Sequence, residues 1–356
     1  MGKQKKHILL FHLLFLHLLL AGVQVVESKS HHHLHGQNQV HGFSKLFAFG
    51  DSYADTGNSA KSTSDSWHEP YGITFPGKPS GRWSDGRVLT DYVASFIGIK
   101  SPIPRQWMKY GPKLVKFGIN FAYGGSGVFE TSTPVNMTVQ INSFQQLIQQ
   151  GLYTKKDLYS SVALVSLAGN DYNAYASRNG TAEGLPAFIS SVVNQLALNL
   201  KRINVMGVKT IIVTALPPLD CLPLRTLSSS FQQCSETDNA GVIFHNQLLQ
   251  QAVDKLNNQS KDSTFLTLDL YRSFKTILNQ TALPAGNMKF DDPLKPCCMG
   301  VNSSYSCGSK DENGVRMYTV CKNPKTAFFW DMFHPTQEGW KAVRLLLDSY
   351  LFPPKP

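Results

Sequence analysis

The 356-residue sequence lacks the features that mark several classes of protein. Lysine and arginine never form a dense run, which disfavours nucleic-acid binding despite a formal net charge of +10. No segment after the amino-terminal region reaches 18 apolar residues, so a transmembrane span in the mature chain is not expected. Internal repeats and long Gly/Ser-rich or Pro-rich linkers are missing after residue 44. We therefore predict a single large domain over residues 45–352.

The amino terminus has the layout of a secretory signal peptide. Three lysines before residue 7 precede a strongly apolar stretch over residues 8–26, and small residues lie near its end. We assign residues 1–28 to this peptide and expect cleavage between Ala21 and Ser30. A signal anchor is the alternative, but His12 and His17 weaken a membrane span.

Residues 29–44 form a histidine-rich tract that begins at His31, His32 and His33. Such a tract could bind a metal in principle, but a low-complexity linker ahead of the first strand is the favoured interpretation. The net positive charge that remains after removal of the signal peptide suits an acidic environment, such as an anionic wall polymer or a membrane surface.

Cysteine usage also indicates export. An even number of cysteines behind a signal peptide favours disulfides, and the six are Cys221, Cys234, Cys297, Cys298, Cys307 and Cys321. Loop closure favours Cys221 with Cys234, which leaves the other four to staple the long loop before the last helix. A zinc site is the alternative, but these cysteines lack a Cys-x-x-Cys spacing. Asn-x-Ser/Thr sequons fit the same compartment and occur at Asn136, Asn179, Asn258, Asn279 and Asn302.

Strand and helix patterns alternate along the chain. Short apolar runs rich in valine, leucine, isoleucine or threonine predict strands at residues 46–50, 161–168, 208–215 and 265–270. Apolar residues at helical spacing predict helices at residues 186–206, 238–256 and 336–351. This alternation predicts an α/β fold with a mainly parallel central sheet, helices on both faces and right-handed crossovers.

Ser52 follows the first of these strands, directly after the turn signal Gly50-Asp51. A hydroxyl at this point lies at the carboxyl end of the sheet, where wound α/β folds open their ligand crevices. The position suits a hydrolytic nucleophile. The alternative is that Asp51 and Ser52 cap the next helix, since both residue types favour N-caps.

Two further segments carry hydrogen-bond donors. The strand at 161–168 runs into Gly169 and Asn170, and a second segment contains the pair Gly124-Gly125. A glycine pair lets backbone N–H groups approach a ligand closely, and an asparagine amide adds a side-chain donor. Together they could form an oxyanion hole beside Ser52. Asn170 could equally be a turn residue.

Asp331 precedes His334 by three residues, just ahead of the last predicted helix. The carboxylate could accept the Nδ1 proton of His334 and fix its tautomer, leaving Nε2 to take the proton of Ser52. The alternative is that the two residues are a capping pair at the helix start.

These segments together resemble the GDSL esterase/lipases of the SGNH hydrolase superfamily over residues 45 to about 350. Four blocks occur in the order and approximate spacing of the family: Gly50-Asp51-Ser52-Tyr53, Asn120 to Gly127, Gly169-Asn170-Asp171-Tyr172 and Asp331-Met332-Phe333-His334-Pro335. Further strings resemble the secreted plant branch: Asp55-Thr56-Gly57-Asn58, Pro70-Tyr71-Gly72, Gly81 to Arg87 and Cys297-Cys298.

The resemblance implies a three-layer α/β/α SGNH-hydrolase (flavodoxin-like) fold and a two-step acyl transfer. Ser52 would be the nucleophile, His334 the general base and acid, and Asp331 the orienting carboxylate. The oxyanion donors would be the Ser52 N–H, the Gly125 N–H and the Asn170 side chain. Water activated by His334 would release the acid, and neither a metal nor an organic cofactor would be needed.

The resemblance also implies a carboxylic ester hydrolase, and a lipid, a wall polymer or a specialised metabolite could supply the ester. An acyltransferase on the same scaffold is the alternative, since the triad does not distinguish water from another alcohol. A noncatalytic wall-associated protein is a further alternative, disfavoured by the intact motif residues. We expect a secreted, monomeric protein of the extracellular space or apoplast, with the vacuole as another compartment.

Three positions depart from the family pattern. Tyr53 follows the nucleophile where the family name has leucine, and we expect it to pack inward. Ala168 stands where the family usually has glycine. Asp220 replaces the usual glycine before Cys221, away from the proposed catalytic roles. Aromatic residues in loops near the motifs could line an acyl or aryl pocket, and they are Trp67, Tyr71, Phe75, Trp83, Trp107, Phe129, Tyr172 and Tyr175.

Overall fold

The computed structural model describes residues 42–167, 169–235, 239–280 and 289–351. The predicted signal peptide, most of the predicted linker over residues 29–44 and Ala168 lie outside this part of the chain.

A six-stranded parallel sheet lies at the centre of the fold, in the order β2-β3-β1-β4-β5-β6. Its strands are β1 (Lys45–Gly50), β2 (Ile103–Pro104), β3 (Gly118–Asn120), β4 (Ser161–Ser166), β5 (Thr210–Thr214) and β6 (Thr264–Leu268). The four predicted strands are confirmed as β1, β4, β5 and β6. The sequence pattern did not reveal β2 and β3, because strands of two and three residues are too short to show alternation.

Helices connect the strands. They are α1 (Leu89–Phe96), α2 (Met137–Gln149), α3 (Lys155–Tyr159), α4 (Gly169–Ser177), α5 (Leu185–Val205), α6 (Pro223–Thr226), α7 (Asn239–Gln259), α8 (Leu270–Leu278) and α9 (Gln337–Leu351). The three predicted helices correspond to α5, α7 and α9. No helix among the described residues is both long and apolar enough to span a membrane.

The two faces of the sheet bury separate apolar cores. Successive side chains of β1 point to opposite faces, so Phe47 and Phe49 contribute to one core while Leu46 and Ala48 contribute to the other. The first core is closed by α2, α5 and α7, and the second by α1, α8 and α9. The predicted α/β fold, with helix layers on both sides of a parallel sheet, is confirmed.

The carboxyl end of β1 passes very close to β4. A Cβ atom added at Gly50 would lie 2.3 Å from the Ser166 carbonyl oxygen, and the Asp51 N–H donates to that oxygen at 3.0 Å. From α2, the buried Gln140 amide donates to the Gly50 carbonyl and accepts from the Gly50 N–H, both at 2.8 Å. The chain can therefore turn out of the sheet here with its buried peptide groups satisfied.

We expect Gln140→Leu to lower the free energy of unfolding by about 1 to 3 kcal/mol, because the Gly50 N–H would stay buried without a partner, while the Gly50 carbonyl keeps the Tyr123 N–H at 3.0 Å. Urea denaturation at neutral pH measures the change. Gln145, on the same helix, is exposed, so Gln145→Leu is a matched control and should stay within about 0.5 kcal/mol of the parent. Equal losses in the two variants would contradict this role for Gln140.

Three disulfides join all six cysteines. Cys221 is bonded to Cys234, as loop closure predicted, and the remaining four form the bonds Cys297–Cys321 and Cys298–Cys307. Around this second pair, β7 (Cys298–Gly300) runs antiparallel to β8 (Tyr318–Val320). The Cys297 and Cys298 N–H groups donate to the carbonyls of Phe329 and Trp330, at 3.0 and 2.6 Å. The stapled loop therefore supports the segment that leads directly into Asp331.

Candidate active site

Ser52 and His334 meet at the carboxyl edge of the sheet, 282 residues apart in the chain. Ser52 lies two residues beyond β1, and its Oγ is 2.8 Å from His334 Nε2. No helix begins directly after Ser52. Instead, the Asp51 carboxylate accepts from the Tyr53 N–H at 3.0 Å, which closes a local turn.

Asp331 and His334 lie in one turn before α9. His334 Nδ1 is 2.8 Å from each carboxylate oxygen of Asp331. Asp331 Oδ1 also accepts from the backbone N–H groups of Phe333 and His334, both at 2.9 Å, and Oδ2 accepts from the Tyr71 hydroxyl at 2.7 Å. Burial acts to raise the pKa of Asp331, but His334 and these donors outweigh it and hold the pKa below its usual value.

Other residues cap α9, so the capping interpretation of Asp331 and His334 is wrong. The Thr336 hydroxyl accepts from the Gly339 N–H at 2.9 Å, and Asp85 Oδ1 accepts from the Gln337 N–H at 2.7 Å. The Ser84 hydroxyl donates to the Pro335 carbonyl at 2.9 Å. The segment from Gly81 to Arg87 thus anchors the backbone that follows His334, at Pro335 and Gln337.

Tyr53 packs inward, as expected. Its ring lies edge-on to His334 and Trp340, with centroids 5.8 and 5.0 Å away. Its hydroxyl donates to the Phe333 carbonyl at 2.9 Å, within the Asp331–His334 turn. A leucine, the residue in the family name, could not make this hydrogen bond, so the departure adds a link between the Ser52 turn and the histidine turn.

The three proposed oxyanion donors line one cavity. Within the described residues, neither the Ser52 N–H nor the Gly125 N–H has a hydrogen-bond acceptor. The Asn170 Nδ2 donates to the Ser126 carbonyl at 2.9 Å. A primary amide has two N–H donors, so this bond orients the amide and leaves the second donor for a ligand.

The segment Asp55-Thr56-Gly57-Asn58 positions the loop that contains Gly124 and Gly125. Asp55 Oδ2 accepts from the Gly124 N–H at 3.1 Å, and the Asn58 amide donates to the Ala122 carbonyl at 2.8 Å. On the other side of the loop, the Asp171 carboxylate accepts from the Val128 N–H, at 2.9 Å. Gly125 has a φ of +83°, a left-handed conformation that glycine adopts without strain.

Two buried carboxyls near Ser52 have raised pKa values that the sequence did not reveal. Burial raises the pKa of Asp51 from 3.8 to about 7, although the Tyr53 N–H and His334 act to lower it. Burial likewise raises the pKa of Asp171 to about 6, against its bonds to the Phe129 and Val128 N–H groups. The interaction between the two carboxyls raises the pKa of Asp51 further.

The cavity beside Ser52 has a volume of about 450 Å³ and is mostly apolar. Its apolar lining includes Leu167, Leu185, Ile189, Leu216, Leu222 and Phe333. Of the eight aromatic candidates, Trp83, Tyr172 and Tyr175 line it. Others have supporting contacts: Tyr71 holds Asp331, and the Trp67 Nε1–H donates to the Ser59 carbonyl at 2.7 Å.

Gln140 and Asp85 support the site but were not singled out in the sequence. Gln140 lies on the buried stripe of α2 with Met137, Ile141 and Phe144. A polar residue on such an apolar stripe was the available signal. Asp85 had a weaker signal, since it only formed part of the string from Gly81 to Arg87.

Asp220, the third departure, lies outside the lining of this cavity. Its carboxylate is buried and has Lys275 Nζ 3.5 Å away, while its carbonyl accepts from the Ser235 N–H beside the Cys221–Cys234 bond. It therefore contributes to the disulfide loop, away from Ser52.

The chain belongs to the GDSL-like lipase/acylhydrolase family, which matches residues 46–346. It is 55% identical to GDSL esterase/lipase At5g03610 of Arabidopsis thaliana, over 96% of this chain and 95% of that protein. It is 52% identical to GDSL esterase/lipase At3g09930 of the same plant, over 86% and 88%. Membership at this identity makes the chain a carboxylic ester hydrolase of the plant GDSL type.

More distant relatives include acetylajmalan esterase 2 of Rauvolfia serpentina, 28% identical over 87% of this chain and 90% of that protein. Among solved structures, a catalytic mutant of an acetylxylan esterase from Geobacillus stearothermophilus is 16% identical, with a TM-score of 0.40. The match covers 88% of this chain and 94% of the acetylxylan esterase chain.

We expect Asp51→Asn to change how stability depends on pH. Because the folded-state pKa of Asp51 lies above the unfolded value, the folded protein holds a proton that the unfolded chain has released between pH 3.8 and about 7. Stability from this group is therefore lost as pH rises through that window. Asparagine keeps an acceptor oxygen for the Tyr53 N–H but has no proton to lose.

Relative to the parent, the variant should gain roughly 1 to 4 kcal/mol of unfolding free energy between pH 4.5 and 8. Urea denaturation at a series of pH values measures this difference. A difference between variant and parent that does not change with pH would show that Asp51 is not protonated in the folded state.

Proposed function

We propose that this ester hydrolase acts through Ser52, His334 and Asp331 by an acyl-enzyme mechanism. The observation that supports it most directly is the 2.8 Å contact between Ser52 Oγ and His334 Nε2, with His334 Nδ1 held by Asp331 on the opposite side of the ring. This is the order of nucleophile, base and orienting carboxylate that serine acyl transfer requires.

In the acylation step, Ser52 Oγ attacks the ester carbonyl while His334 Nε2 takes the hydroxyl proton. The tetrahedral oxyanion accepts hydrogen bonds from the Ser52 N–H, the Gly125 N–H and the second N–H of the Asn170 amide. His334 then returns the proton to the leaving alcohol. Asp331 stabilises the imidazolium, and its lowered pKa keeps it ionised throughout.

In the deacylation step, water gives its proton to His334 and attacks the acyl-enzyme, which releases the carboxylic acid and restores Ser52. We propose that one apolar group of a small-molecule or lipid ester occupies the cavity beside Ser52, since its lining is mostly aliphatic and aromatic. The names of the Rauvolfia relatives support esters of small specialised metabolites.

We expect Ser52→Ala to lower kcat/KM for p-nitrophenyl esters by about 10⁴-fold or more, because no other group supplies the attacking oxygen. Asn170→Ala should lose roughly 100- to 1,000-fold by removing one oxyanion donor. Ser62, which is exposed, provides the matched control, and Ser62→Ala should retain the parent activity. Turnover by Ser52→Ala equal to that of the parent would overturn the triad proposal.

The same assay, repeated with added alcohols, distinguishes hydrolysis from acyl transfer. Under the proposed function, free carboxylic acid stays the main product as the alcohol concentration rises. A new ester that accumulates while the free acid falls would assign the chain as an acyltransferase.

We also propose that the protein is exported as a monomeric glycoprotein to the extracellular space. The leader-like residues 1–28 and the three disulfides support this, since disulfides persist in oxidising compartments. Four sequon asparagines are exposed: Asn179, Asn258, Asn279 and Asn302. The fifth, Asn136, is half-buried and caps α2 by accepting from the Val139 N–H at 3.0 Å.

In plant cells that express the full chain, we expect the protein in the extracellular fluid, beginning at a residue between 22 and 30. Edman sequencing of the secreted protein locates the cleavage site. Peptide mass spectrometry after enzymatic deglycosylation should find glycans on the exposed sequons. Retention of residues 1–28 in a membrane-bound form would instead indicate a signal anchor.

A further inference from the structure

A tyrosine–histidine pair lies beside the active-site cavity and has no part in the proposed mechanism. Tyr172, on α4, lines the cavity, and its hydroxyl oxygen is 2.6 Å from Nδ1 of His245, on α7. His245 is completely buried, with a relative exposure of 0%. The two rings meet edge to face, with centroids 5.7 Å apart.

The surroundings of His245 decide which atom donates in this pair. Its other ring nitrogen, Nε2, is buried without a hydrogen-bond partner among the described residues. Burial also lowers the pKa of His245 to about 4, so the ring is neutral and carries one proton. With the proton on Nε2, that N–H would be buried without an acceptor, so the favoured tautomer carries the proton on Nδ1. In this tautomer His245 donates to the Tyr172 oxygen.

As a consequence, the hydroxyl hydrogen of Tyr172 is not used by His245. Other tyrosine hydroxyls at the cavity differ in this respect. Tyr175 donates to the Thr181 carbonyl at 2.8 Å, and Tyr53 donates to the Phe333 carbonyl at 2.9 Å. Tyr172 therefore lines a largely apolar cavity and has a hydroxyl hydrogen that the His245 contact does not use.

We propose that Tyr172, oriented by His245, is a specificity-determining residue that donates a hydrogen bond to an oxygen atom on the part of the substrate inside the cavity. This inference rests on the proposed function and narrows its substrate class. The preferred ester carries a hydroxyl, ether or carbonyl oxygen away from the ester bond, and is not a plain alkyl ester. His245 is a positioning residue, since it acts only through Tyr172.

The test compares p-nitrophenyl esters of equal chain length: a plain alkanoate, and a series in which one ether oxygen replaces a CH₂ group at successive positions. For each protein, the preference is the ratio of kcat/KM for an ether ester to that for the alkanoate. Tyr172→Phe should lower the preference about 5- to 10-fold at the position that Tyr172 reaches, which is the loss of one neutral hydrogen bond.

Tyr175→Phe is the matched control, because its hydroxyl is already bonded to Thr181, and its preference should equal that of the parent. His245→Leu should also lose the preference, whereas His245→Asn keeps an N–H near the Nδ1 position and should restore it. Thermal unfolding identifies any His245 variant that fails to fold. In that case the ester preference of Tyr172→Phe alone decides the inference.

Two different failures are distinguishable. If Ser52→Ala abolishes turnover but Tyr172→Phe changes every ester by the same factor, then Tyr172 only packs against the substrate and this inference is wrong, while the proposed function stands. If Ser52→Ala retains turnover, then the proposed function fails and the inference fails with it.

Discussion

The site depends on how closely the end of β1 can approach β4. At Gly50 there is no room for a side chain, because a Cβ atom would meet the Ser166 carbonyl at 2.3 Å. This approach lets the chain leave the sheet at once and present Ser52 at the edge. It also buries the N–H and the C=O of Gly50. The Gln140 amide on α2 bonds to both, and the carbonyl also accepts from the Tyr123 N–H. The position of Ser52 is therefore set by backbone packing inside the core, and the loops around it complete the candidate site.

Buried carboxylates organise those loops. Asp55 holds Gly124, Asp171 holds Val128, and Asp331 holds the turn that carries His334. Each accepts backbone N–H groups that would otherwise be unsatisfied, which offsets the cost of burying a charge. These loops contain little regular secondary structure, so hydrogen bonds to side chains replace the ladder bonds that position atoms in a sheet. This accounts for how the Gly125 N–H and the His334 ring are positioned on segments without strand or helix, whereas Asn170 is positioned by α4.

The sequence predicted the sheet better than it predicted the support of the site. Long apolar runs such as residues 161–166 report burial on both faces directly, whereas β2 and β3 are too short to show any period. The pairing of Ser52, Asp331 and His334 was predictable from the family blocks. The contact between Gln140 and Gly50 was not, because it joins residues 90 apart whose identities suggest no pairing. The same holds for His245 and Tyr172, which become neighbours only when α4 and α7 share one side of the sheet.

Asp331 and His334 lie in a single turn, and their contact with Ser52 spans 282 residues of chain. All six strands of the central sheet therefore precede the imidazole in the chain and are synthesised before it. A chain without the turn that carries His334 therefore lacks the contact between Ser52 Oγ and His334 Nε2. Under the proposed function, a chain that ends before His334 has no base for Ser52 and is expected to lack esterase activity.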